Sequence, residues 1–238
     1  MTKRCILVTG GSRGLGRHTC ERILDNGWDV IAISRTKVKL ERYQTLKCDI
    51  ASEDDVIGLF KKLEKVKIDS VINCAGITKT FENSKNRDPF LDIINVNLLG
   101  TYLISKYALP KLCKSKNQPS IVNVASIGGL FGFADNPGYG ASKAGIINLT
   151  KSMAYDYSKY GIRVNCISPG YFKSDMTLNS FIDKKKQTIR NKNTLLNRFA
   201  DLDEITSAIL FLMSSSSSYI NGENLIVDGG FSAKGLVE

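Results

Sequence analysis

Histidine is almost absent from this chain: His18 is the only one in 238 residues. That scarcity excludes a multi-histidine metal site, and any histidine-based nucleophilic triad would have to use that one residue. His18 sits beside Thr19 and Cys20 in an expected helix, which points to a structural or surface role. Cysteine occurs six times, at 5, 20, 48, 74, 113 and 166, but no two lie close enough for a Cys-x-x-Cys redox pair or a zinc knuckle. They are read as reduced, mostly buried small hydrophobes. No apolar stretch approaches the roughly 18 residues of a membrane span, and the first, Cys5 to Val8, is too short for a signal-peptide core. The expectation is a soluble cytoplasmic protein with no metal and no membrane contact. Acid is in deficit, 23 Asp and Glu against 33 Lys and Arg, for a formal net charge of +10. Such an excess serves solubility, an anionic ligand or nucleic acid. Its densest run, FIDKKKQTIRNK from Phe181 to Lys192, has no interleaved aromatics on which bases could stack. A solvated helix face or recruitment of an anion is expected there, and no nucleic acid.

Short β-branched runs alternate with helical patterns, the signature of parallel strands joined by crossover helices. Strands are expected at Cys5 to Thr9, Val30 to Ser34, Thr45 to Cys48, Ser70 to Asn73, Ser120 to Ala125, Arg163 to Ser168 and Asn224 to Val227. Helices are expected at Gly14 to Asn26, Ser52 to Lys65 with Ser52 and Asp55 as a capping pair, Phe90 to Lys114, Tyr139 to Tyr160, and Asp203 to Met213 opened by Asp201 and Glu204. Pro110 should kink or shorten the third helix. The result is an α/β fold, one domain over 1–238 built on a doubly wound, seven-stranded parallel sheet. A glycine-rich half spans about 1–118 and a second half about 119–238. The stretches from Ile77 to Pro89 and from Tyr171 to Arg198 interrupt the alternation after a strand's carboxyl end, the edge where such sheets bind ligands, and so are candidate substrate loops; 171–198 is a candidate lid.

Two motifs carry chemistry. TGGSRGLG, Thr9 to Gly16, follows the first strand and opens the first helix. Glycines at 10, 14 and 16 allow a tight turn and close approach to a pyrophosphate, whose charge the helix N-terminus stabilises. NPGYGASKAG, 136–145, holds Tyr139 and Lys143 four apart, on one helix face. That spacing alone decides nothing, because it recurs at Tyr43/Lys47, Tyr102/Lys106, Tyr107/Lys111 and Tyr155/Lys159. Ser126, at a strand's carboxyl end thirteen residues before Tyr139, sets that pair apart.

The GxxxGxG spacing resembles the classical short-chain dehydrogenase/reductase family, a Rossmann-type fold. Further matches run along the chain in order: Asp49-Ile50, NCAG at Asn73 to Gly76, VNLLG at Val96 to Gly100 with Asn97, Ser126, the Tyr139/Lys143 pair, Pro169-Gly170 and VDGG at Val227 to Gly230. The resemblance implies a catalytic set of Asn97, Ser126, Tyr139 and Lys143, with Asn97 holding a water that links Lys143 to solvent. It implies cofactor contacts from Gly10, Ser12, Arg13, Gly14, Leu15, Gly16, Ser34, Arg35, Asp49, Ile50, Asn73, Ala75, Gly76, Tyr139, Lys143, Pro169, Gly170 and Ser174. Ser174 stands where the family often has a threonine. It also implies a homotetramer formed through the helices at Phe90 to Lys114 and Tyr139 to Tyr160.

An acid about 20 residues past the glycine turn would select NAD. The sequence has Ser34 and Arg35 there instead, with Arg13 inside the turn, and guanidinium groups grip phosphate oxygens, so NADP(H) is the expected cofactor. Ketone reduction needs a proton at the oxygen; a tyrosine with pKa near 10 can give one if its phenolate is stabilised, and Lys143 and an oxidised nicotinamide offer positive charge for that. PGYFKSDMT, LNRFADLDEI and SSYINGENLIVDGG are similar to the 3-oxoacyl-acyl-carrier-protein reductase branch, which implies a β-keto thioester and an acyl carrier protein partner. Asn117 and Tyr160 stand where carrier-protein users place arginines, with Lys114, Lys116 and Lys159 nearby. A reductase of a sugar, polyol or small ketone is the alternative. A nucleotide-sugar dehydratase or epimerase would have a different glycine spacing and a larger C-terminal part, and a non-catalytic binding protein would not need the four-residue set.

Overall fold

The computed structural model describes residues 3–79, 87–132, 134–173 and 182–234. Seven strands form one parallel sheet: β1 (Cys5–Thr9), β2 (Asp29–Ser34), β3 (Thr45–Lys47), β4 (Ser70–Asn73), β5 (Ser120–Val124), β6 (Arg163–Pro169) and β7 (Asn224–Val227). Their order across the sheet is β3-β2-β1-β4-β5-β6-β7. Strand succession reverses between β1 and β4, where Thr9 pairs with Asn73, and the crevice at that reversal opens at the carboxyl ends of both strands.

Alternation along β1 explains the two-sided core. Leu7 points to one face, where Val56, Leu59 and Phe60 of α2 (Glu53–Lys62), Leu103, Ile104 and Ala108 of α4 (Gly100–Leu112) and Met153 and Tyr157 of α5 (Pro137–Ser158) cover the sheet. Ile6 and Val8 point to the other, covered by Leu15, Cys20 and Ile23 of α1 (Gly14–Asp25) and Ile205 and Ile209 of α7 (Leu202–Met213). Burying each such aliphatic side chain contributes about 1.5–3 kcal/mol against the chain's lost entropy. The short α3 (Phe90–Ile94) and the basic α6 (Lys184–Lys192) complete the helices described. None is long and apolar enough to cross a membrane.

Three local expectations change. The long helix expected over Phe90 to Lys114 is divided by a π-helical turn at Asn95–Leu99, while Pro110 neither breaks nor much shortens it, the helix running on to Leu112. The carbonyl that Pro110 leaves without its donor is that of Lys106, an exposed residue. Ser52 accepts from the backbone N–H of Asp55 as expected, but the Asp55 carboxylate accepts from the N–H of Asp49. Cys113 is exposed; the six cysteines are free, and Cys20, Cys48 and Cys166 are buried. His18 pairs with Asp203 at 3.0 Å, tying α1 to α7 at the surface.

Candidate active site and cofactor cleft

The glycine turn folds α1 back onto the ends of β1 and β4. A Cβ on Gly10, which has φ +72°, would lie 2.9 Å from the Ala75 Cα, and one on Gly16 would lie 2.3 Å from the Gly10 carbonyl oxygen. No other residue fits either place. The Ala75 N–H donates to Thr9 Oγ1 at 3.0 Å, fixing the end of β4 against the turn. Ser52 caps α2 and Asn136 caps α5, but Arg13 at the start of α1 makes no side-chain cap and the first turn carries no acid. Among the described residues the first N–H groups of α1 therefore meet no side-chain acceptor, and with the positive end of the helix dipole they suit the pyrophosphate of a dinucleotide.

Around that turn, Ser12 and Gly14 are half-buried, Leu15 is buried, and Arg13 and Arg35 are exposed cations without an ion pair among the described residues. The Ser34 hydroxyl is turned inward, where it is engaged by Thr45 Oγ1 and the Thr36 carbonyl, so its side chain serves the β2–β3 pair. Asn73 is likewise interior: its amide donates to Ser105 Oγ at 3.0 Å and Asn123 Oδ1 at 2.8 Å, leaving only its backbone near the cleft. Asp49 accepts from the Ala51 N–H, and Ile50 is buried against Gly100. Gly76 lies beside Asn97 and Lys143. Pro169 ends β6, and the Gly170 N–H donates to the Val227 carbonyl at 2.9 Å. Ser174 lies outside the described residues.

The catalytic candidates converge where β5 ends. Ser126 caps a short 3-10 turn, Ile127–Gly129, and its Oγ accepts from the Gly128 N–H at 3.0 Å. The Tyr139 ring, in the first turn of α5, meets Ser126 across Gly128, where a Cβ would lie 3.1 Å from Tyr139 Cε1 and 3.4 Å from Ser126 Oγ. One turn on, the buried Lys143 ammonium donates to the Val124 carbonyl at 2.7 Å and lies 5.7 Å from the centre of the Tyr139 ring. Burial brings the Lys143 pKa down to about 8. Burial also raises Tyr139 above the ordinary tyrosine value, with the nearby Ser126 side chain opposing. The sequence argument expected Lys143 to favour the phenolate; in this structure loss of solvent outweighs any such help, and the phenol is held protonated.

Asn97 sits in the π-helical turn, fully buried. Its Oδ1 accepts from the Ile77 N–H at 2.8 Å, and its Nδ2 donates to the Ile77 carbonyl and to Ser142 Oγ, both at 3.0 Å. Both amide donors are thus committed to the protein, leaving spare acceptor capacity at Oδ1. The other Tyr-x-x-x-Lys pairs have different partners. Tyr43 donates to the Gly11 carbonyl, Tyr107 to Glu53, Lys111 reaches the carbonyls of Glu64 and Val66, and Tyr102 and Tyr155 are exposed. Ile77 and Thr78 open the stretch expected as a substrate loop, while Asn136, Ser142 and the Val124 carbonyl join the site without having been singled out by the sequence argument. One signal was present: Asn-Pro at 136–137 is an N-cap followed by an N1 proline.

Sheet order and site together define the class, an α/β oxidoreductase that works with a dinucleotide. The sequence model of the family described as enoyl-(acyl carrier protein) reductase matches residues 10–232. Carbonyl reductase family member 4 of Xenopus laevis is 34% identical over 240 residues, covering 97% of this chain and 98% of that protein. The 3-oxoacyl-[acyl-carrier-protein] reductase FabG of Vibrio harveyi is 36% identical over 237 residues, covering 94% and 95%. Among solved structures, Thermoplasma acidophilum aldohexose dehydrogenase superposes with a TM-score of 0.91 at 30% identity, covering 99% of this chain and 96% of that one. A 4-hydroxyisoleucine dehydrogenase complexed with NADH also gives 0.91, at 31% identity, covering 98% and 100%. The chain belongs to the short-chain dehydrogenase/reductase family of oxidoreductases.

Proposed function

We propose that this chain is an NADPH-dependent carbonyl reductase that converts a ketone to a secondary alcohol, and that a 3-oxoacyl thioester is its substrate class. The observation that carries the reading is the meeting of Ser126 and the Tyr139 ring across Gly128 at the carboxyl edge of β5, with the buried Lys143 ammonium 5.7 Å from the centre of that ring. When bound, the reduced nicotinamide supplies the hydride that reaches the carbonyl carbon. Ser126 orients the carbonyl oxygen and stabilises its growing charge, and Tyr139 gives that oxygen its phenolic proton. Burial, which keeps the phenol protonated, suits this direction. Lys143, charged below about pH 8, stabilises the phenolate left behind.

Arg13 and Arg35, exposed and without an ion pair among the described residues, favour a 2'-phosphate over a bare ribose. The likeness to the Vibrio harveyi and Xenopus laevis reductases supports a carbonyl substrate, and the former a carrier-bound one. The likeness to aldohexose dehydrogenase favours a second reading, a sugar or polyol as the reacting partner. We propose further that this enzyme is cytoplasmic and, as the family resemblance implies, a homotetramer joined along α3, α4 and α5, with NADPH as cofactor and an acyl carrier protein as candidate partner.

A panel holding a β-keto thioester, a keto sugar and a simple diketone separates these readings, with NADPH and NADH compared and nicotinamide absorbance followed. Turnover of the thioester with preference for NADPH is expected; preference for the sugar selects the second reading. Tyr139→Phe should lower turnover by roughly two to four orders of magnitude and leave NADPH affinity nearly unchanged. Undiminished turnover removes the assigned role, and lost NADPH binding makes the residue structural.

A further inference from the structure

The loop that leaves β4 is fastened to both ends of one peptide residue, Tyr139. At one end, the Tyr139 N–H donates to Asn136 Oδ1 at 3.2 Å, and the Nδ2 of that same Asn136 donates to Thr78 Oγ1. At the other, Ser142 Oγ donates to the Tyr139 carbonyl at 2.7 Å and accepts from Asn97 Nδ2 at 3.0 Å, while Asn97 holds both the N–H and the carbonyl of Ile77. Thr78 follows Ile77 directly, so the bonds close a ring: Tyr139, Asn136, Thr78, Ile77, Asn97, Ser142 and back to Tyr139. Its members come from three separate places, the loop after β4, the π-helical turn and the first two turns of α5.

An N-cap needs only the acceptor oxygen of Asn136, and serine, threonine or aspartate would serve as well. What asparagine adds is a donor on the same side chain, aimed at Thr78. Asn97 and Ser142 are fully buried, so the second arm is shielded from water, whereas the Thr78–Asn136 arm lies at the surface. The exposed arm is the one that can open and close. Lys79, next along the loop, is joined to Asp92 of α3 at 3.5 Å.

We propose that Thr78 and Asn136 form a latch that sets the position of the Tyr139 phenol according to the state of the loop after β4, with Ser142 as the fixed arm on the other side. Thr78, Asn136 and Ser142 are positioning residues: none donates to the reacting atoms, and each acts through Tyr139. When the latch is closed the first turn of α5 is held against the loop and the phenol faces Ser126. When it is open, that turn keeps its cap but loses its anchor, and the phenol spends less time aligned. The proposal rests on the reading of Tyr139 as the proton donor.

Two variants open the latch without removing the cap. Thr78→Val deletes the acceptor, and Asn136→Ser keeps a capping oxygen too short to reach Thr78. Each should lower kcat roughly tenfold on whichever panel member is reduced, a loss typical of a misaligned group, with the KM for NADPH unchanged within about twofold. The double variant should lose no more than either single one, because both cut the same bond, and Thr78→Ser should restore wild-type turnover. Independent of any activity, amide hydrogen exchange of the peptide carrying Tyr139 should quicken in Thr78→Val and return to normal in Thr78→Ser. Losses that multiply in the double variant, or exchange at Tyr139 indifferent to residue 78, overturn the latch. Full activity of Tyr139→Phe would instead end the reading of the tyrosine, and the exchange result still judges the latch by itself.

Discussion

Lys143 bears the largest conflict between a residue's chemistry and its surroundings. An ammonium group is buried with one backbone carbonyl as its hydrogen-bond partner, and its pKa falls from 10.5 to about 8. The sign of the consequence follows from proton counting. Between pH 8 and 10.5 the unfolded chain still carries the proton that the folded chain has lost, so the unfolded state binds more protons and stability rises with pH across that window. Below pH 8 both states are charged and the cost of burying the charge is fully present. Urea unfolding of the cofactor-free protein and of Lys143→Met, compared at the two ends of this window, should show the wild type gaining on the variant as pH rises. A wild type that gains nothing on the variant, or loses ground to it, as pH rises would mean the ammonium is not desolvated. The same residue shows what a sequence can say: the i,i+4 spacing placed Lys143 on the face of Tyr139, but only the folded chain shows that its charge is directed to Val124.

At the scale of elements, the proposed active site depends on one short turn pressed onto one helix. A Cβ on Gly129 would lie 2.6 Å from the Lys143 carbonyl carbon and 2.7 Å from the Ala144 nitrogen, both backbone, which cannot swing aside. Gly129→Ala must lift the 3-10 turn from α5 and carry Ser126 away from Tyr139. Stability should fall by about 1–3 kcal/mol, the usual cost of overpacking, and turnover should fall with it while cofactor affinity holds. Denaturant titration beside steady-state kinetics checks both; a variant as stable as the wild type would show that the turn and helix are not in firm contact. Elements were legible in the sequence to different degrees. Strands and capped helices were readable because period-2 and period-3.6 patterns and the Ser52 and Asp201 starts are local signals. The π-helical turn around Asn97 was not, since one extra residue inside an apolar helix leaves the pattern on either side unchanged, while Pro110 drew attention to a break that surface exposure makes unnecessary. The Ser34 and Asn73 side chains point the same way: motif position placed them at the cleft, and the inward half of each strand's alternation claimed them.

For the molecule as a whole, a doubly wound parallel sheet was accessible because right-handed crossovers leave few ways to arrange alternating strands and helices. Which faces remain for a partner was less so, because a single chain's apolar surface is visible only once its own core is filled. Several large apolar side chains stay outside that core on the helices flanking the site: Leu91 is 68% exposed and Tyr155 84%, with Leu99 and Tyr102 also exposed. Leu91, Leu99 and Tyr102 lie along α3, the π-helical turn and α4, and Tyr155 on α5, the elements through which assembly is proposed. Apolar surface repeated on neighbouring helices gains by meeting its own copy across a two-fold axis, and a charge placed there meets a like charge on the partner. Leu99→Lys combined with Tyr155→Lys should therefore reduce the sedimenting mass toward that of one chain. Val66→Lys, the same kind of change on the loop between α2 and β4, should not. A wild type that already sediments as one chain, or a double variant that assembles undiminished, refutes this surface as the interface. Because α5 carries Tyr139 at one end and Tyr155 near the other, loss of assembly is expected to depress turnover as well, and restoring it at high protein concentration should restore both together.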